Sequence, residues 1–248
     1  MSKQLRIGGA SGFWGDSVVA TPQLLNGNNL DFIVYDYLAE ITMSIMARAR
    51  AKDPSKGYAI DFVSSVMKLN LRQIADQKVK ILSNAGGVNP QACAEAIRAL
   101  IKELNLDLKV AVVLGDDLLE DKDKFLDSGV QEMYSDEKFP EVDKIASINA
   151  YLGAFPIAQA LNDGADIVIT GRSVDSAVTL AACIHTYGWK EDDYDKLASG
   201  SLAGHIIECG TQSTGGNFTD WELSSKDLHM IGYPIVDVSE NGEFICTK

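Results

Sequence analysis

Short apolar runs rich in β-branched residues alternate along the chain with stretches whose apolar positions recur at helical spacing. This is the pattern of βαβ units, because parallel neighbours need a long crossover and a helix usually supplies it. The pattern predicts strands over residues 5–9, 31–35, 79–84, 110–115 and 166–170. Val79-Lys80-Ile81-Leu82 and Ile167-Val168-Ile169 are short and bounded by polar or glycine residues, as strands covered on both faces should be. Asn89-Pro90 reads as a cap followed by proline at the first helical position, opening a helix that runs to 104. Further helices are expected over 173–187, stopped by Gly188, and over 194–208.

From 210 onward Gly210, Gly215, Gly216 and Asn217 announce a loop-rich region. Asn241-Gly242 then joins two strands expected over 233–238 and 243–247, a strong hairpin signal. The expected class is therefore α/β, a parallel or mostly parallel sheet with helices on both faces in a Rossmann-like three-layer arrangement. An α/β domain is expected over 1–209, with the loop-rich segment and hairpin over 210–248. Five strands in an open sheet are expected, although part of a closed barrel gives the same alternation. No internal repeat or Ser/Gly linker interrupts the pattern.

Composition narrows the function. The 248 residues hold 35 acidic against 22 basic side chains, a net charge of −13. A free-standing nucleic-acid binder needs a basic stripe, and none is present. With 46% hydrophobic and 23% charged residues the chain is globular rather than disordered. No apolar run reaches the roughly 18 to 20 residues of a bilayer span, and the N-terminus lacks a secretory signal, so a cytoplasmic protein is expected. Cys93, Cys183, Cys209 and Cys246 are scattered without Cys-x-x-Cys spacing. They read as reduced thiols, the first two as small core residues inside helices.

In an open parallel sheet ligands bind outside the carboxyl ends of the strands, and the unusual residues gather in those loops. The first strand leads into Gly8-Gly9-Ala10-Ser11-Gly12-Phe13-Trp14-Gly15-Asp16. Its glycines either let backbone N–H groups approach an anion or simply make a tight turn. The spacing Gly9-x-x-Gly12-x-x-Gly15 matches neither the dinucleotide nor the phosphate-loop motif, so neither NAD nor ATP is indicated. Asn84, Gly86 and Gly87 follow the third strand, Asp116 and Asp117 the fourth, and Gly171, Arg172 and Asp175 the fifth.

Arg172 suits bidentate capture of a carboxylate or phosphate, or the pairing of a neighbouring acid. Asp16, Asp116, Asp117 and Asp175 read together as oxygen ligands for a divalent metal, or one of them as a general base; for Asp116, Asp117 and Asp175 the alternative is a helix cap. The cofactor and metal are left open by spacing alone. His205 lies four residues before Cys209 on the last predicted helix, so the two share a face. That is either an activated thiolate or ordinary packing. Gly215, Gly216 and Asn217 have the small polar character of a ligand loop or of a plain connection.

Taken together, Ile7 to Asp16, Asp36-Tyr37-Leu38-Ala39-Glu40, Asn84 to Pro90, Thr170-Gly171-Arg172 and Gly204-His205 through Phe218 resemble the N-terminal domain of the acyclic terpene utilisation family. The resemblance runs over nearly the whole chain. It implies a role among branched acyl-CoA breakdown enzymes, whose genes accompany those of the family. The expected function is an enzyme of branched or terpenoid acid catabolism, a lyase, hydratase or acyl-transfer enzyme acting on an acyl-CoA or carboxylate. The alternative is a non-catalytic acyl-CoA-binding or scaffold subunit, and a homo-oligomer or a partner subunit is expected. The resemblance carries no established catalytic residues with it. On the residues alone, Asp16, Arg172, Asp175, His205 and Cys209 are the catalytic candidates, and Gly9, Ser11, Gly12, Asn84, Gly86, Gly87, Asp116, Gly171, Gly215, Gly216 and Asn217 the ligand-binding ones. Family proteins commonly continue past the position of Lys248, so the chain is expected to be part of a longer fold.

Overall fold

The computed structural model describes residues 4–16 and 18–248. In chain order the strands are β1 (Leu5–Gly9), β2 (Phe32–Tyr35), β3 (Lys80–Ser83), β4 (Val110–Val113), β5 (Ile167–Thr170), β6 (Ile235–Val238) and β7 (Phe244–Thr247). The helices are α1 (Ala20–Leu25), α2 (Glu40–Lys52), α3 (Lys68–Gln77), α4 (Pro90–Glu103), α5 (Lys122–Asp127), α6 (Ala154–Asn162), α7 (Ala177–Tyr187) and α8 (Tyr194–Ile207). A wider π-type turn, Phe62–Met67, leads into α3.

The strands form one sheet in the order β4-β5-β3-β2-β1-β6-β7. β1 to β5 are parallel, and the hairpin β6–β7 joins the far side of β1 antiparallel. The sheet is open, with β4 and β7 at its edges, so the α/β class holds and a closed barrel does not. Two more strands than the five of the expected open sheet are present because the hairpin extends the same sheet.

Both faces of the sheet are apolar, and alternate residues of each strand point to opposite faces. Ile33, Tyr35, Ile81 and Ile169 pack with Leu24, Met46, Leu71 and Ile97 on the α1–α4 side. Val34, Leu82, Val168 and Val236 pack with Ile157, Ala181 and Ile207 on the α6–α8 side. Cys93 in α4 and Cys183 in α7 are fully buried thiols within these layers.

Strand order positions the site. The chain leaves β3 through α4, skips one place to β4, and returns through α6 to insert β5 between them. β3 therefore exits toward one face and its neighbour β5 toward the other. The loops diverge there, at the carboxyl ends of β3 and β5, the place where open α/β sheets form their ligand crevice.

Candidate functional site

Asp36 directly follows β2 and Asn84 follows β3, so the parallel pairing of those strands sets them side by side. Asn84 Nδ2 donates to Asp36 Oδ1 at 2.7 Å, and the Leu38 N–H donates to the same oxygen at 3.1 Å. Asn84 Oδ1 in turn accepts from the Tyr37 N–H at 2.8 Å. Ser11 Oγ donates to the Asp36 carbonyl at 3.1 Å, tying the β1 exit to the β2 exit. Asp36 is 4% exposed, and its Oδ2 has no hydrogen-bond partner among the described residues. Burial first, then the nearby Asp175 and Glu208 carboxylates, push its pKa up to about 7 despite the two donors.

Gly171 and Arg172 leave β5 into the same crevice. Arg172 Nη1 donates to Asp175 Oδ1 at 2.7 Å and to the Ser173 carbonyl at 2.9 Å. Its guanidinium carbon sits 4.1 Å from the centre of the Tyr151 ring, a cation–π stack that fixes the plane of the group. Tyr151 Oη donates to Glu40 Oε1 at 2.6 Å. Asp116 is nearly buried, and its Oδ2 accepts from the Arg172 N–H at 2.7 Å and from Asn149 Nδ2 at 2.9 Å.

The glycines of the first loop have a packing task. A β carbon on Gly9 would lie 2.4 Å from the Ile207 carbonyl, and one on Gly12 would lie 2.7 Å from the Cys209 backbone. Their absence lets the end of α8 rest against the β1 exit and delivers Glu208 and Cys209 to the crevice. Carboxylate oxygens of Asp36, Asp175 and Glu208 then lie within 4.8 Å of one another.

Cys209 and His205 both face Glu208, the thiol at 3.1 Å and the imidazole Nδ1 at 3.9 Å. Burial and the Glu208 carboxylate push the Cys209 pKa up to about 12, so it rests as a thiol at neutral pH.

The model of the acyclic terpene utilisation family protein AtuA matches residues 5–248. The chain belongs to this family. No curated protein and no solved structure matches it. The family match spans both β1 and the terminal hairpin, so every element that builds the crevice lies within it.

Of the sequence candidates, this family member brings Ser11, Asn84, Arg172, Asp175 and Cys209 to the crevice, with Asp116 and Gly171 supporting Arg172. Gly86 and Gly87 are buried below it, where a β carbon on Gly86 would lie 2.4 Å from the Thr170 carbonyl. Asp16 Oδ2 accepts from the Gly12 N–H at 3.0 Å. Asp117 caps the Leu119 N–H at 3.0 Å and faces Arg50 at 3.4 Å. The acidic cluster therefore contains Asp175 but not Asp16, Asp116 or Asp117.

Gly215, Gly216 and Asn217 lie in a separate turn. Gly216 there borders a cavity of about 230 Å³ beside Asp16 and Tyr233, and Asn217 bonds Gln212. Asp36, Glu208, Glu40 and Tyr151 meet these residues but are not among the sequence candidates, although the first three lie in blocks that carry the family resemblance. Asp36 carries a usable signal, since it directly follows an apolar strand as Asn84 does. Glu208 follows a helix rather than a strand, so strand-end position does not mark it, and only its place in the block Gly204 through Phe218 does.

Cavity size alone does not mark the site. One cavity of about 690 Å³ lies against Phe32, Lys80 and His185 at the opposite ends of the strands. Another of about 320 Å³, lined by Ala47, Val88, Asp117 and Leu119, flanks the crevice.

Proposed function

We propose that the chain is an enzyme in the breakdown of branched or terpenoid acids, acting on a free carboxylate or an acyl-CoA by addition, elimination or acyl transfer. One observation carries the reading. Arg172 is buried at the divergence of β3 and β5 with Nη1 occupied, yet its Nε has no partner among the described residues. Its Nη2 stands 3.8 Å from the exposed Glu40 carboxylate, beyond hydrogen-bond distance. The Nε–Nη2 edge of a guanidinium grips a carboxylate bidentately. Glu40 lies on the surface beside that edge, and because Nε is closed to solvent a substrate carboxylate takes the edge by displacing Glu40. The neighbouring cavity, with Ala47, Ala51, Val88 and Leu119 in its wall beside Arg50 and Asp117, suits the hydrocarbon part, and the carboxylates facing Arg172 supply the acid–base half of the chemistry. Membership of a terpene utilisation family supports the substrate class.

Thermal unfolding with branched acyl-CoAs, and separately with the free acids, tests this reading. A ligand at about one hundred times its dissociation constant stabilises the native state by about 2.7 kcal/mol, several degrees for a chain of this size. Arg172→Lys keeps the charge and loses the fork, so it should weaken the bound ligand at least tenfold, about 1.4 kcal/mol. No shift with either class of ligand overturns the reading, and unchanged affinity in Arg172→Lys removes the Arg172 role. A second reading, a non-catalytic acyl-CoA-binding or scaffold subunit, draws on the exposed Trp221, Leu223, Met230 and Ile245. Binding of an acyl-CoA that is never consumed would favour it.

A further inference from the structure

We infer that Asp36, Asp175 and Glu208 form a binding site for one hard divalent cation such as Mg²⁺ or Mn²⁺. The three carboxylates come from distant parts of the sequence, after β2, after β5 and after α8, and the fold holds oxygens of all three within 4.8 Å. Oxygens bonded to one cation lie no more than about 5 Å apart for Ca²⁺, at about 2.3–2.6 Å, and about 4.2 Å apart for Mg²⁺, at about 2.0–2.1 Å, so the group has the spacing of a ligand set for the larger ion and closes by about half an ångström on the smaller one.

Crowded carboxylates alone are common on protein surfaces. Two features separate this group from a surface patch. Asp36 is 4% exposed and its Oδ2 has no hydrogen-bond partner among the described residues, although a buried carboxylate oxygen costs free energy unless something satisfies it. Its other oxygen is fixed by Asn84 and by the Leu38 N–H, and Asn84 is itself fixed by the Tyr37 N–H. Asp175 is oriented in the same way by Arg172. Outer hydrogen bonds of this kind hold metal-binding carboxylates in place.

Charge points the same way. With all three carboxylates ionised and Arg172 as counter-ion, an excess of about two negative charges remains, which a divalent cation neutralises. Oxygen donors select Mg²⁺, Mn²⁺ or Ca²⁺ over softer metals, and the Cys209 thiol already donates to Glu208 Oε1 at 3.1 Å. The site also relieves a difficulty in the proposed function: an anionic substrate entering beside Arg172 meets the same carboxylates, and a bound cation would cancel their charge and polarise an acyl or carboxyl oxygen. This last point rests on the proposed function; the cation site itself does not.

The test is a titration of the full chain, stripped with chelator and without substrate, with MnCl2 and MgCl2. Calorimetry and the paramagnetic resonance signal of free Mn²⁺ give affinity and stoichiometry. One saturable Mn²⁺ per chain, competed by Mg²⁺, is expected. Asp36→Asn and Glu208→Gln should each weaken it at least tenfold, whereas Glu222→Gln, an exposed acid elsewhere, should not. Circular dichroism checks that each variant is folded, and the half-buried Glu208 keeps the test open if Asp36→Asn is not. No saturable binding, or equal affinity in both site variants, overturns the site. Zn²⁺ binding abolished by Cys209→Ser, with no Mn²⁺ binding, overturns the hard-cation assignment. Because no substrate is present, a failed titration leaves the Arg172 reading to its own experiment.

Discussion

A β carbon on Gly171 would lie 2.3 Å from Asp116 Oδ2, the oxygen that also accepts from the Arg172 N–H. Gly171→Ala should therefore push Asp116 aside and free the Arg172 backbone, at a cost of about 1–3 kcal/mol, typical of overpacking. A lower urea midpoint with an unchanged slope would show it; an unchanged midpoint would mean that Asp116 yields without cost. At the far end of α7, His185 pairs with Asn162 at 2.6 Å, and burial, then the charge of Lys80, hold its pKa below the usual 6.5. The unfolded chain thus takes up this proton first as pH falls. The contribution of His185 is present above pH 6.5 and is lost as pH drops through that value toward the lower folded one. His185→Gln should flatten the fall of stability just below pH 6.5, measured by urea unfolding at several pH values, and equal slopes in both proteins would remove this role.

Among the elements, the end of α8 depends most on its neighbours. It docks only because Gly9 and Gly12 present bare backbone to Ile207 and Cys209. Gly9→Ala should displace α8, again costing about 1–3 kcal/mol, and should weaken Mn²⁺ binding although Gly9 is not a ligand. Equal Mn²⁺ affinity in Gly9→Ala and the parent would mean that Glu208 reaches the site independently of this packing. The elements themselves were largely legible from local pattern. The first five strands lie where the apolar runs place them, with ends trimmed by a residue or two, and Gly188 stops α7 in the left-handed region at φ 64°. The start of α7 was not legible. The pattern reads helix from 173, whereas the helix begins at Ala177. Residues 172–174 are drawn instead into backbone pairing with Leu152, a contact with a distant loop that local propensity does not contain.

In the whole molecule, the hairpin β6–β7 covers what would otherwise be the open edge of β1, pairing Leu5 with Val238 and Ile7 with Val236. Tyr187 Oη and Trp189 Nε1 donate to the Val238 and Glu240 carbonyls at 2.7 and 2.9 Å and lock the hairpin to the α7 end. A chain stopped at residue 232 should bare an apolar strand edge and lose cooperative unfolding or aggregate. Light scattering and circular dichroism of that chain would check this, and a soluble, cooperatively folded product would show that residues up to 232 fold without the hairpin. Among the described residues no helix is long and apolar enough to cross a membrane. Local pattern was enough for the α/β class, most strands, the hairpin turn and the family blocks, because alternation, helical spacing and turn residues act over a few neighbouring positions. It also placed Asn84, Arg172 and Asp175 in the loops at the carboxyl ends of the strands. Only the tertiary structure decided the strand order, the divergence of β3 and β5, and the meeting of Asp36 with Asp175 and Glu208. Those contacts join residues far apart in the chain, brought together by packing of the two apolar faces of the sheet, and no local pattern encodes which distant carboxylates will meet.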